Sequence, residues 1–214
     1  MALAEKLNEF KKGFTENVPQ DIQALMQQAT QNLADSGIVL KTPKKGDKLA
    51  EFSLVNAQGT DVSLSSLLES GPVVITFYRG GWCPYCNLAL REYQNSLEEI
   101  KALGATLVAI TPELADASLS TTEKNELQFE VLTDTDAKYA KDLGLVFTLP
   151  EELRPIYLSF GIVVEEHNGE NQFDLPLAAT FVVAQDGTIA SAFVEEDYTL
   201  RQEPSEVIKV LKSL

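Results

Sequence analysis

Cysteine, histidine and tryptophan are almost missing from this 214-residue chain, which holds two Cys, one His and one Trp. The two thiols, Cys83 and Cys86, are three positions apart. In a reducing compartment such a pair is catalytic or metal-binding rather than a structural staple. Zinc usually takes four protein ligands or three and a water, and His167 is the one imidazole available. No metal site is expected, and no cofactor. His167 lies in the acidic run Glu165 to Glu170 and is read as a solvated loop residue. Long apolar runs are also missing. None approaches the ~20 residues of a membrane span, and Glu5 and Glu9 interrupt the segment where a secretory signal needs an apolar core. The expectation is a cytoplasmic protein that does not engage a membrane. Positive charge is scarce as well: 17 Lys and Arg against 32 Asp and Glu leave a net charge of −15. That balance repels phosphate backbones, so no nucleic-acid partner is expected. There is no internal repeat and no low-complexity tract.

What is present is an ordinary globular composition, 44% hydrophobic and 23% charged. The length suits one well-buried domain with an appendage. Leu3, Leu7, Phe10 and Phe14 recur at helical spacing, as do Ile22, Leu25, Met26, Ala29 and Leu33. Met1 to Ser36 therefore reads as two amphipathic helices, divided at Asn17-Val18-Pro19. Residues 1–40 are taken as a helical extension and 41–214 as the main domain. The apolar stripes of the extension cover its own domain or, alternatively, a second copy in a homodimer.

Within the main domain, Phe52–Val55 and Thr60–Val62 flank a Gly-containing loop and read as a hairpin. Ser63 to Glu69 is a short helix with Ser63 or Ser65 as N-cap. Val73 to Tyr78 is a strand. Pro84 to about Leu103 is a helix stopped by Gly104. Ala105 to Ile110 is a strand covered on both faces. Further helices are expected over 118–127, 137–143 and 150–160, and a short strand over 130–133. Glu165 to Asp174 reads as an acidic loop. Asp186-Gly187 joins two apolar runs in the strongest hairpin signal of the chain, and a helix over 206–214 closes it. The order is βαβ followed by ββα. This predicts an α/β protein, a mixed sheet flanked by helices in the thioredoxin-like arrangement.

The chemistry concentrates in Arg79-Gly80-Gly81-Trp82-Cys83-Pro84-Tyr85-Cys86. Here a strand ends and a helix begins. Only a thiolate attacks, and a helix N-terminus favours negative charge, so Cys83 is placed to be the nucleophile. Pro84 suits the first helical turn. Cys86 lies one turn on, close enough to resolve Cys83 as a short disulfide. Gly80 and Gly81 permit the sharp exit from the strand. Arg79 is read as a cation for the thiolate or as a surface residue, Trp82 as its flank, and Tyr85 as the second member of the Pro-Tyr insert.

Lys45-Gly46-Asp47-Lys48-Leu49-Ala50-Glu51-Phe52-Ser53-Leu54 resembles the opening motif of peroxiredoxins of the alkyl hydroperoxide reductase and thiol-specific antioxidant group. The succession of strand, Cys-bearing helix, apolar strand and late Asp-Gly hairpin resembles the same group, from about Pro43 to Leu214. The resemblance implies reduction of hydroperoxides through a sulfenic acid on Cys83, then a disulfide with Cys86, then reduction by a thioredoxin- or glutathione-type donor. The chain departs from the family pattern at four places. Thr76 and Gly80 stand where Pro and Thr or Ser are usual, Ala178 where Arg is usual, and Ala50 replaces a Pro. Cys-Pro-Tyr-Cys is, moreover, the dithiol of glutaredoxins. Two alternatives therefore stand beside the peroxidase: a dithiol-disulfide oxidoreductase acting on disulfide substrates, and a redox sensor without turnover.

Overall fold

Two amphipathic helices come first, as the periodicity requires. The computed structural model describes residues 2–214; Met1, assigned above to the first helix, lies outside them. α1 (Leu3–Asn17) and α2 (Gln20–Asp35) are separated by Val18-Pro19. α1 buries Leu3 and Leu7 against its own chain. Its first turn donates backbone N–H groups from Leu3 and Ala4 to the Glu203 carboxylate. These contacts use part of the stripe that would otherwise face a partner.

The hairpin β1 (Ser53–Asn56) and β2 (Asp61–Ser63) leads into α3 (Leu64–Leu68), whose N-cap Ser63 accepts the Ser66 N–H. β3 (Val73–Phe77) comes next and is buried along its whole length. α4 (Pro84–Asn95) and α5 (Leu97–Ala102) replace the single helix expected over 84–103, with the break at Ser96. The break keeps Tyr93, Leu97 and Ile100 together in the core. Beyond them lie β4 (Thr106–Thr111), α6 (Ala115–Lys124), β5 (Glu130–Thr133) and α7 (Lys138–Asp142).

Of the acidic loop expected over 165–174, residues 165–168 are helical and Asp174 opens a strand, while 169–173 are irregular as expected. The chain here forms β6 (Val146–Thr148), α8 (Arg154–Ser159), α9 (Val164–Asn168) and β7 (Asp174–Pro176), with β6 and β7 paired antiparallel. The pairing is long-range and leaves no periodic trace in the acidic stretch. Thr148 and Asp174 meet across this small sheet at 2.5 Å, and Lys141 pairs with Asp174 at 2.7 Å. β8 (Ala178–Val183) and β9 (Ile189–Glu195) form the Asp-Gly hairpin, and α10 (Pro204–Leu211) ends the chain.

The main sheet has seven strands in the order β2-β1-β5-β4-β3-β8-β9. β3, β4 and β5 are parallel, while β8, β9, β1 and β2 are antiparallel to their neighbours. Period-two alternation divides the core in two. Val74, Leu107, Ala109 and Val182 face α1, α4, α5 and α10. Val73, Ile75, Phe77, Val108 and Phe181 face α3 and α7. This is the mixed, doubly covered sheet the element order predicts. Among the described residues, no helix is long and apolar enough to cross a membrane. β3 and β4 end side by side, and the crevice beyond the carboxyl ends of parallel strands is where such sheets carry ligands.

Candidate active site

β3 delivers the chain into this crevice and α4 carries it out. Cys83 is the N-cap of α4 and Pro84 occupies its first turn, so the thiol faces the unpaired N–H groups of the helix start. Both cysteines are free, and both are fully buried. Arg79 is buried too and not a surface residue: its Nη2 donates to Cys83 Sγ at 3.2 Å and its Nη1 to the Tyr157 hydroxyl at 3.0 Å. Tyr198 stacks on the guanidinium, 4.2 Å from ring centre to Cζ. Trp82 flanks the same cation at 5.1 Å and meets Tyr157 edge-to-face. Tyr85 packs edge-to-face between Phe10 of α1 and Tyr198. Burial pushes its hydroxyl up to about 12.

A second cation, missed by the sequence reading, serves the second thiol. Arg201 Nη2 donates to Cys86 Sγ at 3.2 Å, and Arg201 Nη1 donates to the Leu200 carbonyl at 2.6 Å. Nothing in the sequence points to it, because it lies 115 residues from Cys86 in an irregular segment.

The two thiols are driven apart in acidity. Burial alone would push Cys83 up. A hydrogen bond from Cys86 and the charges of Arg79 and Arg201 outweigh burial and hold Cys83 well below the usual thiol range. Burial, the hydrogen bond to Cys83 and the negative charge there push Cys86 well above it. Burial also works against the charge on Arg79, yet the neighbouring thiolate keeps the guanidinium firmly protonated.

The turn before Cys83 is gripped at one peptide. Glu113, fully buried at the end of β4, accepts the Gly81 N–H at 2.9 Å. The Gly81 carbonyl accepts from Asn87 at 2.7 Å, and Asn87 in turn accepts from Asn125 at 3.0 Å. Thr121 and Tyr78 donate to the other oxygen of Glu113 at 3.2 and 3.4 Å. His167 is not a solvated loop residue. It sits on α9 with Nδ1 3.1 Å from Glu113 Oε1, close enough for an ion pair though out of hydrogen-bond alignment. Glu113 follows β4 by two residues, a carboxylate near the carboxyl end of a parallel strand, but nothing local in the sequence tells its grip on Gly81 from a solvated loop residue.

The glycines are needed for different reasons. A Cβ on Gly81 would stand 1.9 Å from Thr121 Oγ1. Gly80 has φ +152°, and a Cβ there would stand 2.2 Å from the Trp82 indole nitrogen. The indole thus fills the space where the family pattern carries a hydroxyl side chain. Of the three other departures, Thr76 and Ala178 belong to β3 and β8 and Ala50 precedes β1; the Thr76 hydroxyl shares a hydrogen bond with Thr180 at 3.1 Å. Among the described residues, no three His, Cys, Asp or Glu side chains are grouped to hold a metal ion.

Known proteins share this chain's sequence pattern and fold. The AhpC/TSA family pattern matches residues 45–192, more than half of the chain. The chain is 29% identical over 156 residues to "Peroxiredoxin Q, chloroplastic" of Triticum aestivum, with 71% of each protein covered. It is 26% identical over 170 residues to the protein of the same name from Sedum lineare, covering 79% of this chain and 78% of that one. Among solved structures, peroxidoxin BcpB from Mycobacterium tuberculosis matches with a TM-score of 0.63 at 21% identity, over 80% of this chain and 97% of that one. A likeness at that level of identity is one of fold.

Proposed function

The chain belongs to the AhpC/TSA family, and from that premise we propose that it is a thiol peroxidase reducing hydroperoxides with Cys83 as nucleophile and Cys86 as resolving partner. The single observation that carries the assignment of roles is geometric: Cys83 is the N-cap of α4 with the Arg79 guanidinium on its sulfur, and Cys86 lies one turn on with Arg201 on its own. The Cys83 thiolate attacks the terminal peroxide oxygen. An S–O bond forms and the O–O bond breaks. Sulfur loses two electrons and becomes a sulfenic acid. The leaving alkoxide or hydroxide takes a proton from water and departs as alcohol or water. Arg79 supports the negative charge before and during this step. The Cys86 thiol then displaces water from the sulfenic acid, closing a Cys83–Cys86 disulfide. A dithiol donor of the thioredoxin type returns both sulfurs to thiols by exchange.

Stopped-flow reaction with hydrogen peroxide tests this. Cys83→Ser abolishes the reaction. Cys86→Ser keeps the first step and stops turnover after one equivalent. Equal loss of the first step in both variants would contradict the assignment.

A second reading is favoured by one observation. The two thiols stand three residues apart at the N-terminus of α4, one at the N-cap and one in the first turn, as a dithiol-disulfide oxidoreductase needs. Reduction of insulin disulfides that requires both cysteines, with peroxide reactivity no greater than that of free cysteine, would replace the first reading with this one.

A further inference from the structure

The two cations of the site differ in what balances them. Arg79 has the Cys83 thiolate as its anion. Arg201 has none before peroxide arrives. Among the described residues it makes no ion pair with a carboxylate, in a chain that carries 32 Asp and Glu. What its Nη2 touches is the Cys86 sulfur, at 3.2 Å. Burial and the charge on Cys83 keep that sulfur protonated.

Arg201 is held at this post. It lies in the irregular segment 196–203 between β9 and α10. Asp197 accepts the Thr199 N–H at 2.9 Å and the Thr199 hydroxyl at 2.7 Å. Lys11 of α1 donates to Thr199 at 3.0 Å, and Tyr93 of α4 donates to the Gln202 carbonyl at 3.3 Å. Arg201 Nη1 donates to the Tyr198 and Leu200 carbonyls, which fixes the plane of the guanidinium. The family pattern ends at residue 192, so the match says nothing of Arg201.

Oxidation changes what this cation faces. A sulfenic acid on Cys83 no longer carries the thiolate charge, so the site then holds two guanidiniums and no sulfur anion. A buried charge without a partner is costly, and the main electrostatic obstacle to ionising Cys86 has gone. Cys86 also sits in the first turn of α4, where the helix dipole favours an anion. The titratable groups facing it are Cys83, Arg79, Arg201 and Tyr78, whose hydroxyl donates to Glu113. We propose that Arg201 is a catalytic residue of the resolving step: its guanidinium holds the Cys86 sulfur as a thiolate while that sulfur attacks the Cys83 sulfenic acid. The inference rests on the peroxidase reading and adds the charged partner of its second step. The S–S bond forms as the S–O bond breaks. The Cys86 sulfur is oxidised and the Cys83 sulfur reduced by the same amount. The proton lost from Cys86 leaves with the hydroxide as water, and no outside oxidant or reductant takes part. Arg79 thus serves the sulfur that meets peroxide, and Arg201 the sulfur that closes the disulfide.

The test mixes the full-length reduced protein with equimolar hydrogen peroxide, quenches it with acid over time, and follows sulfenic acid and disulfide by intact-mass spectrometry. Formation and decay of the sulfenic acid are read separately. Loss of a contact charge moves a thiol pKa by about 1–3 units, and the greater nucleophilicity of a less acidic thiolate returns about half of that in rate. Arg201→Met is therefore expected to slow decay about tenfold, while formation, which needs only the more distant effect of Arg201 on Cys83, slows by less than about threefold. Its decay profile moves to higher pH. Arg201→Lys restores most of the decay rate and moves the profile back, which a residue that only ties down its segment would not do. If Arg201→Met fails to fold by circular dichroism, Arg201→Gln removes the charge in its place. Decay at the wild-type rate in the folded, uncharged variant overturns the inference, as does equal slowing of formation and decay. In both cases sulfenic acid still forms and the peroxidase reading stands. If wild type forms no sulfenic acid, that reading fails and the inference fails with it.

Discussion

Charge at single atoms sets the two thiols apart. Cys83 is buried, which alone would keep it protonated, and its acidity comes from the hydrogen bond to Cys86 and from two guanidiniums. An opposite charge within contact distance moves a pKa by about 1–3 units. Replacing Arg79 by Met is therefore expected to move the Cys83 titration up by about that amount, since the charged thiolate loses its largest electrostatic partner. The measurement is the pH dependence of iodoacetamide alkylation in the Cys86→Ser background, with Arg201 intact. Below its folded pKa the thiol is protonated and unreactive, so the profile of the Arg79→Met protein shifts to higher pH and its rate near neutrality falls. An unshifted profile would show that Arg79 does not set the acidity of the nucleophile. The same reasoning predicts that Cys86 resists alkylation until well above the ordinary thiol range, because burial and the charge on Cys83 both oppose its ionisation.

At the scale of elements, the strand-to-helix turn is a device held from three directions. The end of β4 supplies Glu113, α4 supplies Asn87, and α6 with the residue after it supplies Thr121 and Asn125. Burying a carboxylate is costly unless it is hydrogen-bonded and paired, and Glu113 satisfies this with Gly81, Thr121, Tyr78 and His167 around it. Glu113→Ala leaves the Gly81 N–H and the Thr121 hydroxyl without this acceptor. A loss of about 1–3 kcal/mol is expected, read by urea unfolding, together with a slower reaction of Cys83 with peroxide. Glu113→Gln retains an acceptor for Gly81 and recovers most of the rate. If the rate followed stability in neither variant, the turn would not depend on this grip. Gly81→Ala meets Thr121 Oγ1 head-on and is expected to destabilise by a similar amount. Thr121→Ala added to it restores part of the loss, a coupling a double-mutant cycle measures. Much of the scaffold was legible in the sequence, because β3, β4 and the β8–β9 hairpin are written in local period and turn chemistry. So was the pair of cysteines at the helix start. The roles of Glu113, His167 and Arg201 were not, nor the pairing of β6 with β7, since each arises only from contacts between distant segments. Ser96 broke a helix whose apolar pattern runs through it, because tertiary packing of Leu97 and Ile100 overrides the local pattern.

The whole molecule carries −15 while its reacting centre is built on two arginines. These fields act at different distances. Arg79 is buried and works at contact, whereas the surface charge works on approach and is screened over ~10 Å at 0.1 M salt. The cavity between α2 and residues 147–150, which Arg79 helps to line, also has Glu196 in its lining, and the neighbouring cleft adds Glu195 and Asp197. A hydroperoxide with a free carboxylate meets this field on its way in, and an uncharged one does not. Raising ionic strength from about 10 to 200 mM is expected to speed the reaction of an anionic fatty-acid hydroperoxide a few-fold. Cumene hydroperoxide should respond little over the same range. The comparison separates approach from chemistry, because both molecules present the same O–O bond to Cys83 and differ in charge. If the two responded alike, salt would be acting on Cys83 or on Arg79 rather than on the encounter. If the anionic substrate slowed instead, it would be guided in by exposed cations, and the acidic lining would not be its route.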